Sequence, residues 1–233
     1  MTHILAFSLF CLALLLLQPA EAKADTIVLN AVQQGWYRAN GDNNGAPYEP
    51  ANYFVGASGG ELYRNYFVFN LTYVTAITSA QLRIFNPGAG TLNSDPFETY
   101  VLYDVGTAAE LLGQQQGISI YNDLGSGAIY ASVNVATPSF SQPGILTIDL
   151  NADALSALQS DPGLFAIGGA ITSLRFPVSP IGFEGLFASS GGTVIQLVVE
   201  GQQVPVPEPG TLLLLGSGLV GAVTGIRKRR RAG

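Results

Sequence analysis

Cysteine and histidine are almost missing from this 233-residue chain, which has one of each, Cys11 and His3. Both fall in the first eleven residues, inside a stretch that reads as a removable export leader, so the processed chain would hold neither. That excludes thiol and imidazole nucleophiles, Ser-His-Asp catalysis, zinc or copper sites built on those ligands, and disulfides. Charge is scarce too, at 11% Asp, Glu, Lys and Arg. Between Asp25 and Gln203 there is no lysine, and four arginines stand against fourteen carboxylates. So acidic a surface repels polyphosphate, which argues against a nucleic-acid partner. Of the common catalytic toolkits, paired carboxylates or a hard-cation site with oxygen ligands remain open. What the chain does have is 48% hydrophobic residues, 28 glycines and 13 prolines. That balance is too apolar for disorder and points to one all-β domain with appendages.

The N-terminal appendage is nearly all apolar from Ile4 to Leu17. It is followed by Pro19 and by the small-residue pattern Ala20-Glu21-Ala22, with Ala22-Lys23-Ala24 behind it. Residues 1–24 therefore read as a secretory signal peptide cut after Ala22 or Ala24. Its departure from type is an n-region offering only the α-amino group and His3. Cys11 follows Ser8-Leu9-Phe10, without the small residue expected ahead of a lipidated cysteine, and reads as apolar filler.

At the other end, residues 204–233 have three parts: Val206-Pro207-Glu208-Pro209-Gly210, an apolar run from Thr211 to Ile226, and the basic cluster Arg227, Lys228, Arg229, Arg230 and Arg231. A helix over 211–226, rising ~1.5 Å per residue, nearly crosses a bilayer core, and the basic cluster holds its end in the cytoplasm. Everything before Pro207 is then expected across the inner membrane. Gly216, Gly218, Gly221 and Gly225 are spaced to let another helix approach. This tail resembles the PEP-CTERM sorting signal of Gram-negative bacteria, also catalogued as a C-terminal domain of some ice-binding proteins. The resemblance implies recognition by an exosortase, an integral membrane cysteine peptidase or transpeptidase. That enzyme cuts at or near Pro207-Glu208-Pro209, and the protein passes from transient anchoring to the cell surface or extracellular matrix. A permanent single-span anchor is the alternative.

Between the appendages, residues 25–203 carry short apolar runs bounded by Gly, Pro, Asn and Asp. Strands are predicted over Thr26 to Val32, Asn65 to Leu71, Ala80 to Phe85, Phe97 to Asp104, Gly127 to Val135, Ile145 to Leu150, Leu164 to Ile171 and Thr193 to Glu200. Eight suffice for a sandwich. Helical pieces are predicted where Thr107 has capping-box spacing to Glu110, and from a cap at Asn151 through Ala154 to Leu158. The segments Arg64 to Leu71, Thr78 to Phe85, Leu146 to Asn151, Glu184 to Ser190 and Ile195 to Val199 resemble a bacterial jelly-roll family called DNRLRE-like, related in architecture to carbohydrate-binding modules. The resemblance implies a jelly-roll-like antiparallel β-sandwich with one or two short helices.

Sugar-binding faces use exposed aromatic rings, because apolar pyranose faces stack on them. Trp36 and Tyr37, with Tyr48, Tyr53 and Phe54, form the richest such stretch, set against a dull reading in which they close the core. A structural Ca²⁺ could draw oxygens from Asp42-Asn43-Asn44-Gly45, or from Asn93-Ser94-Asp95 with Glu98, though neither has EF-hand spacing. No other cofactor is expected. Paired carboxylates such as Asp123 with Glu184, or Asp149 with Asp153, would be needed for a polysaccharide hydrolase. Ice binding would call for regular threonine arrays, and the threonines are scattered. The expectation is a non-enzymatic exported surface or matrix protein, an exosortase substrate associating with extracellular polysaccharide. A carboxylate-dependent hydrolase and an anchored structural coat protein are the alternatives.

Overall fold

Within Glu61–Asn70 the run Tyr66 to Phe69 is apolar on both sides of the pleat, and a strand so composed must be covered twice. In the computed structural model it is. The structure describes residues 24–44, 52–88, 96–136, 143–175, 183–188, 190, 193 and 195–204. The leader before Ala24, Gly45, Tyr48, Asn93 to Asp95, and the tail with its Pro-Glu-Pro segment lie outside the described residues. Among those described, no helix is long and apolar enough to cross a membrane.

Eleven strands occur among the described residues: β1 Asp25–Asn30, β2 Gln33–Arg38, β3 Val55–Ser58, β4 Glu61–Asn70, β5 Val74–Asn86, β6 Phe97–Asp104, β7 Ile129–Ala136, β8 Gly144–Asp149, β9 Leu164–Ile171, β10 Phe183–Leu186 and β11 Gln196–Gln203. They form two antiparallel sheets, ordered β1-β11-β5-β8 and β10-β3-β4-β9-β6-β7, with β2 on the other edge of β4. The long strands β1, β4, β5 and β6 alternate between the sheets. A β6–β7 hairpin then reverses the path, and β8, β9 and β11 alternate back. That is the connectivity of a jelly roll, two Greek keys wound together.

Phe67, Phe69, Leu82, Ile84, Leu102, Ile148, Leu197 and Val199 meet in the core between the sheets. The opposite side of β4 carries Tyr66 and Val68, which join Tyr37 and Ala166 beneath Ala109, Leu112, Ile120 and Leu124. These last come from the β6–β7 connection, which folds over the large sheet as a 3-10 turn, Ala109–Leu111, and a short helix α1, Ile118–Asp123. Arg64 fastens that lid. Its guanidinium lies 4.4 Å over the Tyr121 ring and donates to the carbonyls of Tyr121 and Asn122 at the end of α1. The second helix, α2 Ala152–Ser160, is capped as its sequence predicts, Asn151 Oδ1 accepting from the Ala154 N–H at 3.0 Å.

The capping box at Thr107 does not form. Its hydroxyl and N–H both donate to Asp123, which stitches the lid's beginning to its end, and the 3-10 turn has no side-chain cap. Three strands, β2, β3 and β10, lie outside the predicted set. The β3–β4 hairpin closes through Gly59-Gly60, with φ of +59° and +83°, the two left-handed residues that a tight hairpin needs. From it β4 runs to Asn70, and the chain turns into Val74, which opposes Gln203 as Asp25 opposes Gly201. The described chain thus enters and leaves at one pole, and the hairpin marks the other.

Candidate functional site

The hairpin pole carries a row of aromatic rings. Register places Trp36 of β2 opposite Asn65, and Arg38 opposite Tyr63 of β4. The Trp36 and Tyr63 rings meet edge to face with centroids 5.0 Å apart. Tyr63 meets Phe54 at 5.1 Å, and Phe54 stacks on Phe183 of β10 at 4.9 Å. Trp36, Tyr63 and Phe183 are half-buried, while Phe54 is the buried link between them. Two edge-to-face contacts and one stacked contact thus join the four rings in a continuous row.

Polar groups frame the row. Arg38 stands 5.9 Å from the Trp36 ring centre and is ion-paired to Asp42, which also accepts from Asn40 Nδ2 at 3.0 Å. Asn44 Oδ1 takes the Trp36 N–H at 2.7 Å, and its Nδ2 donates to the Asn52 carbonyl. Asn52 in turn accepts from the Phe54 N–H and donates to the Ala188 carbonyl. The asparagines of this stretch brace backbone against backbone.

Of the rings named from the sequence, Trp36 and Phe54 belong to this row, and Tyr37 and Tyr53 do not. Tyr37 and Tyr53 are fully buried. Tyr37 points under the lid, its hydroxyl donating to the Gln115 carbonyl and accepting from the Gly113 N–H. Tyr53 points into the core, its hydroxyl bonded to the Phe85 carbonyl and to Thr193. Neither ring can stack on a sugar, because successive residues of an extended chain face opposite ways and their partners Trp36 and Phe54 take the row. Tyr63 and Phe183 were overlooked. The signal available for Tyr63 was the Gly-Gly turn just before it, which fixes a hairpin and hence its neighbours.

Asp42, Asn43 and Asn44 all make hydrogen bonds within or beside their turn, Asn43 Nδ2 donating to the Gln115 carbonyl. Glu98 is buried and accepts from Ser173 Oγ. Among the described residues, no three His, Cys, Asp or Glu side chains gather as a metal would require. Of the carboxylates weighed for hydrolysis, Asp123 accepts from Gly106, Thr107 N–H and Thr107 Oγ1, and Asp149 accepts from Gln81 Nε2. Asp153 sits in the first turn of α2, and Glu184 is buried in β10 beside β3.

The fold defines an antiparallel β-sandwich whose last strand leads directly into a separate C-terminal segment. Residues 205–231 of that segment match the PEP-CTERM protein-sorting motif. The chain therefore carries a sorting tail of the kind that marks a protein for export and exosortase processing. No curated protein matches the chain.

Proposed function

We propose that this protein is a non-enzymatic component of the cell surface or extracellular matrix of a Gram-negative bacterium. In this reading residues 1–24 are removed as a signal peptide and residues 204–233 are cut by an exosortase. Residues 25–203 then associate with extracellular polysaccharide. The observation that carries the sorting half is the match of residues 205–231 to the sorting motif. Physically, an apolar run holds the chain in the bilayer while a proline-bounded segment, unable to pair its backbone fully, offers extended chain to an intramembrane peptidase. Replacing Pro207, Glu208 and Pro209 together by alanine is expected to keep the basic tail attached and the chain in the membrane fraction. Intact-mass measurement of membrane and exported fractions from a native host reads this directly. Exported protein that still carries Arg227 to Arg231 would overturn it.

The polysaccharide half rests on the row Trp36, Tyr63, Phe54 and Phe183. Half-buried rings beside Arg38, Asp42 and Asn40 combine an apolar stacking surface with hydrogen-bonding neighbours, the pairing that pyranose recognition uses. The row sits at the pole opposite the one where the described chain leaves. Trp36→Ala is expected to weaken binding of a neutral β-glucan roughly 3- to 10-fold, as loss of one aromatic stacking partner does. Tyr73→Ala, at an exposed tyrosine of the opposite pole, leaves binding unchanged. Equal affinity of the Trp36→Ala and unsubstituted chains, measured by calorimetry, refutes the row as the contact surface.

A further inference from the structure

The outer face of the small sheet holds a second feature, and it concerns charge. Of the four arginines between Asp25 and Gln203, Arg38 is paired with Asp42, Arg64 is fastened to α1, and Arg175 also has a partner. Arg83 makes no ion pair and no hydrogen bond among the described residues. In a domain with fourteen carboxylates, an arginine left without one is unusual. It lines an open cleft of about 360 Å³ with Phe85, Ile145, Thr193 and Gln196.

Register explains the grouping. Arg83 and Phe85 are two apart on β5 and share a face. Gln196 of β11 opposes Arg83 on one side, and Ile145 of β8 opposes Phe85 on the other. Ile145 is 66% exposed, a large aliphatic group held in water beside a half-buried phenyl ring. Asp149, two residues along β8 from the Thr147 that opposes Arg83, accepts from Gln81 Nε2 at 2.6 Å. Among the described residues the Arg83 side chain therefore lines the cleft without a carboxylate partner.

We infer that this cleft is a subsite for an anionic sugar unit, with the carboxylate of a uronic acid on Arg83 and the apolar ring face on Phe85 and Ile145. Three features select that ligand. A guanidinium binds a carboxylate through two parallel hydrogen bonds, which a neutral hydroxyl cannot match. The apolar pair beside it suits a ring with one hydrophobic side, which an inorganic anion lacks. The cleft's volume falls within the ~300–1,000 Å³ of ordinary ligand sites. The subsite rests on the reading that the domain contacts polysaccharide and adds to it a preference for acidic polymers.

The test uses the full chain in detergent, with polygalacturonate and its fully methyl-esterified form as probes in calorimetry. The acidic polymer is expected to bind about 10-fold more tightly than the ester, and Arg83→Gln is expected to abolish that difference. Arg83 holds no internal partner, so the thermal midpoint should not move, and Arg83→Lys should restore part of the preference. Trp36→Ala should leave the ratio between the two polymers intact. Unchanged polygalacturonate affinity in Arg83→Gln overturns the subsite, and so does a polyglutamate peptide that competes equally well per carboxylate, since the cleft would then read charge alone. Should both galacturonans fail to bind while a neutral glucan binds through Trp36, the subsite falls and the aromatic row stands.

Discussion

Gly169→Ala is expected to lower stability by on the order of 4 kcal/mol. A methyl group at this position of β9 would lie 2.2 Å from Asn65 Oδ1 and 2.3 Å from Tyr100 Oη. Those atoms hydrogen-bond each other at 2.9 Å, and Asn65 Nδ2 donates to the Tyr53 carbonyl at 3.0 Å. Asn65 and Tyr100 are both fully buried. Overpacking costs ~1–3 kcal/mol, and breaking a buried hydrogen bond leaves polar groups without solvent at a further ~1–3 kcal/mol. For a domain of this size the sum corresponds to a fall in thermal midpoint of about 10 °C. Gly59→Ala is the comparison: φ is +59° there, but nothing lies within 4 Å of the added carbon. Backbone conformation alone then costs about 1 kcal/mol. Equal midpoints for the two variants, followed by circular dichroism, would show that the Asn65–Tyr100 contact over β9 does not constrain the large sheet.

The second large effect is alkaline. Burial pushes the Tyr53 phenol up to about 12 and raises Tyr66 and Tyr100 further. Tyr37 and Tyr121 are raised for the same reason, and Tyr130 is raised by burial and by the Asp104 carboxylate that its hydroxyl donates to. In the unfolded chain tyrosine ionises near ~10. Above that pH the unfolded state sheds protons that the folded state keeps, so stability is complete below pH ~10 and is lost as pH rises toward the folded values. Tyr66 and Tyr100 alone remove about 3 kcal/mol per pH unit in that window. Against a total of ~5–15 kcal/mol, the sandwich should open cooperatively before about pH 12. Tyrosinate absorbance for these six rings should appear together with loss of the β-sheet signal. Smooth ionisation near pH 10 with the sheet intact would mean that the rings are not sealed from water.

The eight predicted strands were legible because each has at least one face committed to a core. Leu82 and Ile84 against Gln81 and Arg83 record a half-buried strand, and the doubly apolar Tyr66 to Phe69 records the lid on one side and the second sheet on the other. The missed strands are short and compositionally mute. Val55–Ser58 and Phe183–Leu186 have four residues each, including glycine, and their pairing with each other is long-range, so neither stretch announces it locally. Gln33–Arg38 lies outside the predicted strands because its apolar content is low, its backbone filling an edge of β4 while its side chains divide between the lid and the aromatic row. The helix at Ile118 was hidden for a related reason, its N-terminal neighbour Gly117 offering no side chain to announce it. For the candidate site, composition alone marked the neighbourhood of Trp36. Choosing Tyr63 over Tyr37 required strand register, a long-range fact set by where Gly59 and Gly60 turn the chain.

The placement of β11 bears on how the protein withstands pulling. It is an inner strand, bonded to β1 along one edge and to β5 along the other, and its end is where the described chain leads on toward the tail. A load applied at Gln203 while the hairpin pole is gripped runs along the strand, so both ladders must slip together, bond against bond, before anything yields. The same load on an edge strand at right angles would peel bonds singly. Tension between the C-terminal end of the described chain and the hairpin pole is therefore carried in the domain's stronger direction.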